Sequence, residues 1–307
     1  MTTFRYSGHE TFPCRYAWLP KAFAAIEVNP LIFVDEETAM IRLGVGKNMV
    51  RAIRFWMLES SVAAKREAGG YEPTEFARAL LKQRGLDPFL QDIRTLWLIH
   101  WNLSTHKKDN PLFAWDFLLN QWQSEISRST VLQAFRKIAD KEPRSPSDVT
   151  LDQHFDTFLH TYVPTRTRKG EIQEDNLDCP LVELEFIQHI GERRIDGSGK
   201  REPIYAFRRE EKPEITPELF AFCLDDFWKQ RRITDKTLTF KDVAFGHGGP
   251  GQIFKLPEWS TRQRLEAISS DPNGIFRFSD SVAQQQISRR ENVRKNLLEA
   301  IYEEENA

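Results

Sequence analysis

The residues best suited to chemistry lie near the start of the chain, in the segment SGHETFP at residues 7–13. His9 offers an imidazole that can act as a general base, and Glu10 offers a carboxylate that can bind a divalent cation. Cleavage of a phosphodiester needs both kinds of group. The same two side chains could instead cap the helix that follows and bond loop amides, so two interpretations stay open.

A second segment that could bind phosphate is LGVGKN at residues 43–48. A glycine-lysine pair before a helix resembles a phosphate-binding loop. That motif requires a glycine and a serine or threonine where this chain has Ile41 and Asn48, so we reject it. The two glycines instead predict the tight turn of a helix-turn-helix unit.

A basic stripe follows this turn, because Lys47, Arg51 and Arg54 recur at i, i+4 and i+7 of the predicted helix. Such a stripe could lie along phosphates or enter a major groove, although a solvated face has the same pattern. Three further basic clusters lie in a loop, at a hairpin tip and on an expected C-terminal helix: Arg166, Arg168 and Lys169; Arg193, Arg194, Lys200 and Arg201; and Arg289, Arg290, Arg294 and Lys295.

The net charge of −2 and the pI near 6.4 mean that an acidic surface offsets these clusters. The acidic residues also include a run before the predicted hairpin, whose spacing matches no nuclease core: Asp175, Asp178, Glu183 and Glu185. The basic clusters together favour a protein that binds nucleic acid.

Helical periodicity dominates the first half of the chain, and two apolar runs around a glycine-rich tip predict a β-hairpin between residues 182 and 209. The sequence predicts a mainly α fold with small β-hairpins (α+β), with helix-rich, winged-helix-like DNA-binding domains. A charged, proline-containing stretch at residues 141–147 suggests a boundary. We expect an N-terminal helix-turn-helix-like domain at 1–140, a winged-helix-like domain at 147–240 and a C-terminal helical region at 241–307. We detect no internal repeat.

The chain has no apolar run long enough to cross a bilayer and no leader of the signal-peptide type, so we expect a cytoplasmic protein without membrane contact. Three cysteines without a CxxC pair indicate neither a disulfide framework nor a zinc site.

Several blocks of sequence resemble a bacterial family. The blocks include SGHETF at 7–12, LGVGKNMV at 43–50, LWLIHW at 96–101, DCPL at 178–181 and GPGQIFKL at 249–256. Their order and extent are similar to the SspB-like family, which is associated with DNA phosphorothioation and phage-defence gene clusters. The match covers nearly the whole chain.

The resemblance implies a DNA-binding, strand-nicking component of a single-stranded DNA phosphorothioation system, with magnesium or another divalent cation as cofactor. His9 and Glu10 would be catalytic, Glu10 and Asp178 would bind the metal, and Lys47, Asn48 and Arg51 would contact DNA. The implied partners are double-stranded DNA, sulfurtransferase and ATPase proteins, and a second copy of the chain. A non-catalytic subunit that positions DNA for a separate sulfurtransferase is the alternative.

Overall fold

The computed structural model describes residues 3–105, 109–121, 125–164, 179–195, 199–231, 234–281, 285–290, 293 and 295–303. Its helices and small antiparallel sheets confirm the α+β prediction. The chain forms two compact units: Met1–Trp115 with Gln121–Arg208, and Asp116–Asn120 with Arg209–Ala307. The three predicted domain boundaries stay predictions. None of the described helices is both long and apolar enough to span a membrane.

Unit 1 begins with three helices and a hairpin: α1 (Trp18–Val28), α2 (Glu36–Leu43), α3 (Lys47–Glu59), β1 (Ala63–Lys65) and β2 (Tyr71–Pro73). The Asp35 side chain caps α2 by accepting hydrogen bonds from two backbone amides. Gly44 ends α2 in a left-handed conformation at φ 67°, and α3 starts three residues later. The predicted tight turn between two helices is therefore confirmed.

Unit 1 continues with α4 (Glu75–Leu81), α5 (Ile93–Thr105) and α6 (Phe113–Leu119), of which the residues from Asp116 onward belong to unit 2. After these come β3 (Glu125–Ser127), α7 (Arg128–Ala139), α8 (Asp148–Tyr162), a 3-10 turn, β4 (Ile187–Arg194) and β5 (Arg201–Phe207). β4 and β5 are the predicted hairpin, and β3 pairs with β5 on its other edge.

The larger part of unit 2 has the following elements in order: α9 (Pro217–Arg231), β6 (Thr237–Thr239), α10 (Phe240–Phe245), α11 (Pro250–Ile253), α12 (Glu258–Ser270), β7 (Phe276–Asp280), β8 (Gln285–Arg289) and α13 (Leu297–Ala300). Within the region expected to be helical, Gln285–Arg289 form strand β8, and α13 is confined to Leu297–Ala300. A capping box formed by Thr239 and Asp242 begins α10, whereas α12 begins after Pro257 without a side-chain cap.

The structure contains a repeat that the sequence did not reveal. β3, α7, α8, β4 and β5 have the same order as β6, α10, α12, β7 and β8, with the 3-10 turn inserted after α8 in the first series and α11 inserted after α10 in the second. In both sheets the first strand pairs with the last. α2, α3, β1 and β2 have the same order without a leading strand. Different side chains can satisfy the same pattern of burial, so topology repeats where sequence does not.

Candidate functional site

The loop at residues 7–13 has an unusual backbone. Glu10 and Thr11 both adopt positive φ, at 51° and 64°, a conformation that costs a non-glycine residue about 1 kcal/mol or more. Gly8 has φ 111°, and a Cβ there would lie 2.7 Å from Nη2 of Arg5. Phe12 N donates to His9 O at 2.9 Å and closes the turn. The segment is therefore an ordered, tightly packed loop.

His9 lies inside unit 1, 3% exposed, and forms a pair with His154. Ala114 N donates to His154 Nε2 at 3.0 Å, so a neutral His154 carries its proton on Nδ1 and donates it to His9 Nε2 at 3.1 Å. Thr157 Oγ1 and the Thr11 amide each lie 3.1 Å from His9 Nδ1. Both ring nitrogens of His9 thus lie within hydrogen-bond distance of protein groups.

Burial keeps this pair uncharged. It lowers the pKa of His9 to about 4, and the Arg5 guanidinium acts in the same direction, against a smaller opposite effect of the Tyr6 carbonyl. Burial lowers the pKa of His154 as well. The catalytic assignment of His9 stays a prediction, and it requires the loop to open so that the ring can meet a substrate.

Glu10 differs from its neighbour, because its side chain is partly exposed. The hydrogen bond with Glu36 is the main cause that raises the pKa of Arg51 on α3, and the nearby Glu10 carboxylate adds a smaller electrostatic effect in the same direction. The tertiary structure therefore brings the opening loop and the basic helix together, whereas it separates the environments of His9 and Glu10.

The basic stripe on α3 is accessible but partly paired. Arg51 donates from Nε and Nη2 to the two carboxylate oxygens of Glu36, at 2.7 and 3.1 Å. Lys47 Nζ lies 3.3 Å from the same carboxylate, and Arg54 Nη1 donates to a backbone carbonyl of the loop before α2 at 3.3 Å. Lys47 and Asn48 are exposed. The stripe thus faces solvent at its N-terminal end.

The predicted cluster at the hairpin tip is not uniform. Arg193 Nε donates to the buried Glu202 at 2.8 Å, and the same carboxylate accepts the Ser129 amide at the start of α7. Arg201 lies 3.7 Å from a glutamate on β4. Arg194 and Lys200 are exposed. Arg193 therefore ties the hairpin to α7.

Other predicted site residues fall outside the part of the chain that the structure describes: Arg166, Arg168, Lys169 and Asp178. Among the described residues, no group of three His, Cys, Asp or Glu side chains is placed to hold a metal ion. Glu183 accepts a hydrogen bond from Tyr16, and Glu185 pairs with Arg208. All three cysteines are buried.

Sequence reasoning missed two features of this region. The β1–β2 hairpin places Lys65 and Arg66 in solvent, and the pair Gly69-Gly70 was a turn signal that could have revealed it. No sequence signal linked His9 to His154, which is 145 residues away along the chain.

Comparison with known proteins gives a family and a fold. A model of the family described as "Protein of unknown function (DUF4007)" matches residues 6–303. A crystal structure of magnesium ion-bound SspB is similar with a TM-score of 0.77 and 26% identity, covering 94% of this chain and 84% of that one. Another SspB crystal structure gives 0.79 and 24%, covering 98% and 87%. No curated protein matches the sequence.

Proposed function

Because this chain belongs to the DUF4007 family and has an SspB-like fold, we propose that it is a DNA-binding component of a bacterial DNA phosphorothioation system. The observation that carries the proposal is the exposed N-terminal end of α3, with its basic stripe, directly after the tight turn. The second helix of a helix-turn-helix unit typically enters the major groove with its N-terminal residues against the bases.

The hairpin after α3 supports the same interpretation. Two helices followed by a two-stranded wing are the order of a winged-helix domain, and Lys65 and Arg66 lie at the start of the turn. We propose that Lys47, Asn48, Arg51 and Arg54 contact duplex DNA, with the wing beside them. Each phosphate that these cations contact releases counterions, which provides sequence-independent affinity.

The equivalent helices of the other two repeats lack an exposed basic stripe. On α8, Asp148 is exposed while Asp152 and Asp156 pair with Arg128, and on α12 Arg262 pairs with Glu258 and Asp280. Carboxylates repel phosphates, so α3 is the recognition helix in this proposal.

Removal of the two cations at the exposed end of α3 tests the proposal. We expect the double variant Lys47→Ala/Arg51→Ala to bind duplex DNA more weakly and to reduce the slope of log K against log salt by about two. The matched control, Lys137→Ala/Lys241→Ala, removes two exposed lysines outside α3 and therefore has the same net charge as the test variant. Equal salt slopes for the two variants would contradict the proposal.

Strand nicking is the second candidate function, and the likeness to a magnesium ion-bound SspB structure favours it. Glu10 is a single carboxylate beside a guanidinium, which does not by itself fit magnesium, an ion that takes oxygen ligands in octahedral geometry. Nicking by this chain therefore requires that Asp178 or other groups bind the metal ion together with Glu10. The alternative, a subunit that positions DNA for a separate sulfurtransferase, needs no metal.

Magnesium-dependent relaxation of supercoiled plasmid separates these candidates. We expect the wild-type chain to produce open circles, and Glu10→Gln and Asp178→Asn to prevent this while DNA affinity is retained. Glu37→Gln, on the exposed start of α2, is the control. Wild-type protein that binds plasmid and never nicks it would leave the positioning role.

We also propose sulfurtransferase and ATPase partners and a homodimer, which pull-down and light scattering would test.

A further inference from the structure

Glu36 is placed between the two cations that the proposed function assigns to DNA. Its Oε1 accepts from Arg51 Nε at 2.7 Å, and its Oε2 accepts from Arg51 Nη2 at 3.1 Å and lies 3.3 Å from Lys47 Nζ. The three groups are in contact with solvent, with side-chain exposures of 24% for Glu36, 35% for Arg51 and 57% for Lys47. One anion therefore occupies a clamp of two accessible cations.

The backbone fixes this arrangement. Glu36 is the first residue of α2, and Asp35 holds that end by accepting the amides of Glu37 and Thr38 at 3.0 and 3.4 Å. Lys47 is the first residue of α3, and only three residues separate the two helices. The clamp is thus built at the turn of the helix-turn-helix unit.

The geometry of the clamp suits phosphate as well as carboxylate. A guanidinium presents a planar fork that binds two oxygens of either anion, and a lysine ammonium adds a point charge. The two cations also lower the pKa of Glu36, so its carboxylate is ionised at neutral pH. A phosphate that takes the fork of Arg51 must displace Glu36, because both anions use the same donor atoms.

We propose that the clamp formed by Lys47 and Arg51 is a binding site for one DNA phosphate and that Glu36 occupies this site in the free protein. DNA binding then exchanges one anion for another. The inference rests on the proposed function. Its consequence is selectivity: Glu36 weakens contact with any isolated phosphate, and sites at which α3 makes further contacts offset that loss.

The test compares two neutralising variants in the first turn of α2, Glu36→Gln and Glu37→Gln. Both remove one negative charge next to α3, and Glu37 is exposed and makes no ion pair among the described residues. Binding to a labelled duplex is measured by fluorescence anisotropy at several salt concentrations. Thermal unfolding of each variant checks that it is folded.

We expect Glu36→Gln to bind DNA about two- to fivefold more tightly than Glu37→Gln, the factor that an exposed ion pair represents. Its slope of log K against log salt should also be steeper, by up to about one. When DNA displaces the Glu36 carboxylate, that carboxylate takes up a cation from solution and offsets part of the counterion release, and the glutamine of Glu36→Gln does not. In the Lys47→Ala/Arg51→Ala background, the two variants should bind equally.

Equal affinity and equal salt slope for Glu36→Gln and Glu37→Gln would overturn the inference and leave Glu36 as an ordinary structural partner. That result is distinct from failure of the proposed function. In the latter case, Lys47→Ala/Arg51→Ala would bind DNA as the wild type does, whatever the effect of Glu36.

Discussion

At the scale of single residues, the neighbours His9 and Glu10 have opposite environments. His9 is buried against His154, whereas Glu10 is partly exposed near Arg51. Their adjacency in sequence suggested a shared site. Two successive left-handed residues, Glu10 and Thr11, turn the chain so that the two side chains no longer share surroundings.

The histidine pair makes stability depend on pH. The unfolded chain protonates His9 near its ordinary pKa of 6.5, whereas the folded state leaves it neutral down to about 4. The free energy of unfolding should therefore fall as pH falls through this window, by about 1.4 kcal/mol per pH unit for His9, and the lowered pKa of His154 acts in the same direction. Denaturant titrations of wild type and His9→Gln/His154→Gln measure the slope, and His189→Gln, which is exposed, is the control. Identical slopes in all three would contradict the prediction.

Gly8 should be the least replaceable residue of the opening loop. Alanine there would adopt φ 111° and place its Cβ 2.7 Å from Nη2 of Arg5 and 3.0 Å from Phe55. We expect Gly8→Ala to cost about 2–3 kcal/mol, and Gly44→Ala about 1 kcal/mol, since Gly44 has φ 67° and open space around it. Denaturant unfolding measures both, and a smaller loss for Gly8→Ala would show that the loop adapts.

At the scale of elements, α2, α3 and the β1–β2 hairpin form the part of unit 1 that best fits a role in DNA binding. The glycines at 44 and 46 and the amphipathic pattern of α3 predicted the two helices and their turn. The hairpin was not predicted, because strands of three residues carry too little alternation to distinguish them from a loop.

The hairpin should contribute to DNA affinity if it acts as a wing. We expect Lys65→Ala/Arg66→Ala to weaken duplex binding and to reduce the salt slope by up to about two, without a change in melting temperature, because both side chains are exposed. Anisotropy titrations compare it with Lys137→Ala/Lys241→Ala. Binding equal to that of the control would assign DNA contact to α3 alone.

At the scale of the whole molecule, two helices followed by two paired strands appear three times with different surface charge, and the second and third copies add a leading strand. The last helix of the first copy presents cations, that of the second presents Asp148 with two aspartates that pair with Arg128, and that of the third presents Trp259 beside the Glu258–Arg262 pair. A balanced net charge of −2 is the sum of these unlike surfaces. Because of this distribution, the overall charge gives no guide to the proposed DNA binding.

Replacement of Trp259 tests whether DNA contact is confined to the first of the three copies. Its indole is 55% exposed on α12. We expect Trp259→Ala to leave DNA affinity and salt slope unchanged, in contrast to Lys47→Ala/Arg51→Ala, because Glu258 precedes it and Arg262, the cation one turn along α12, pairs with Glu258 and Asp280. The measurement is a titration of the wild type and these two variants with the same duplex. A loss of DNA affinity in Trp259→Ala would place DNA on the third repeat as well.

The sequence by itself determined the α+β class, the helix-turn-helix turn, the basic stripe on α3 and the long hairpin, because these follow from local periodicity, glycine conformation and capping. Tertiary structure alone decided which neighbours those residues meet. It paired His9 with His154, placed Glu36 between Lys47 and Arg51, and joined Arg193 to Glu202. Such contacts depend on how distant elements pack, and no pattern along the chain encodes them residue by residue.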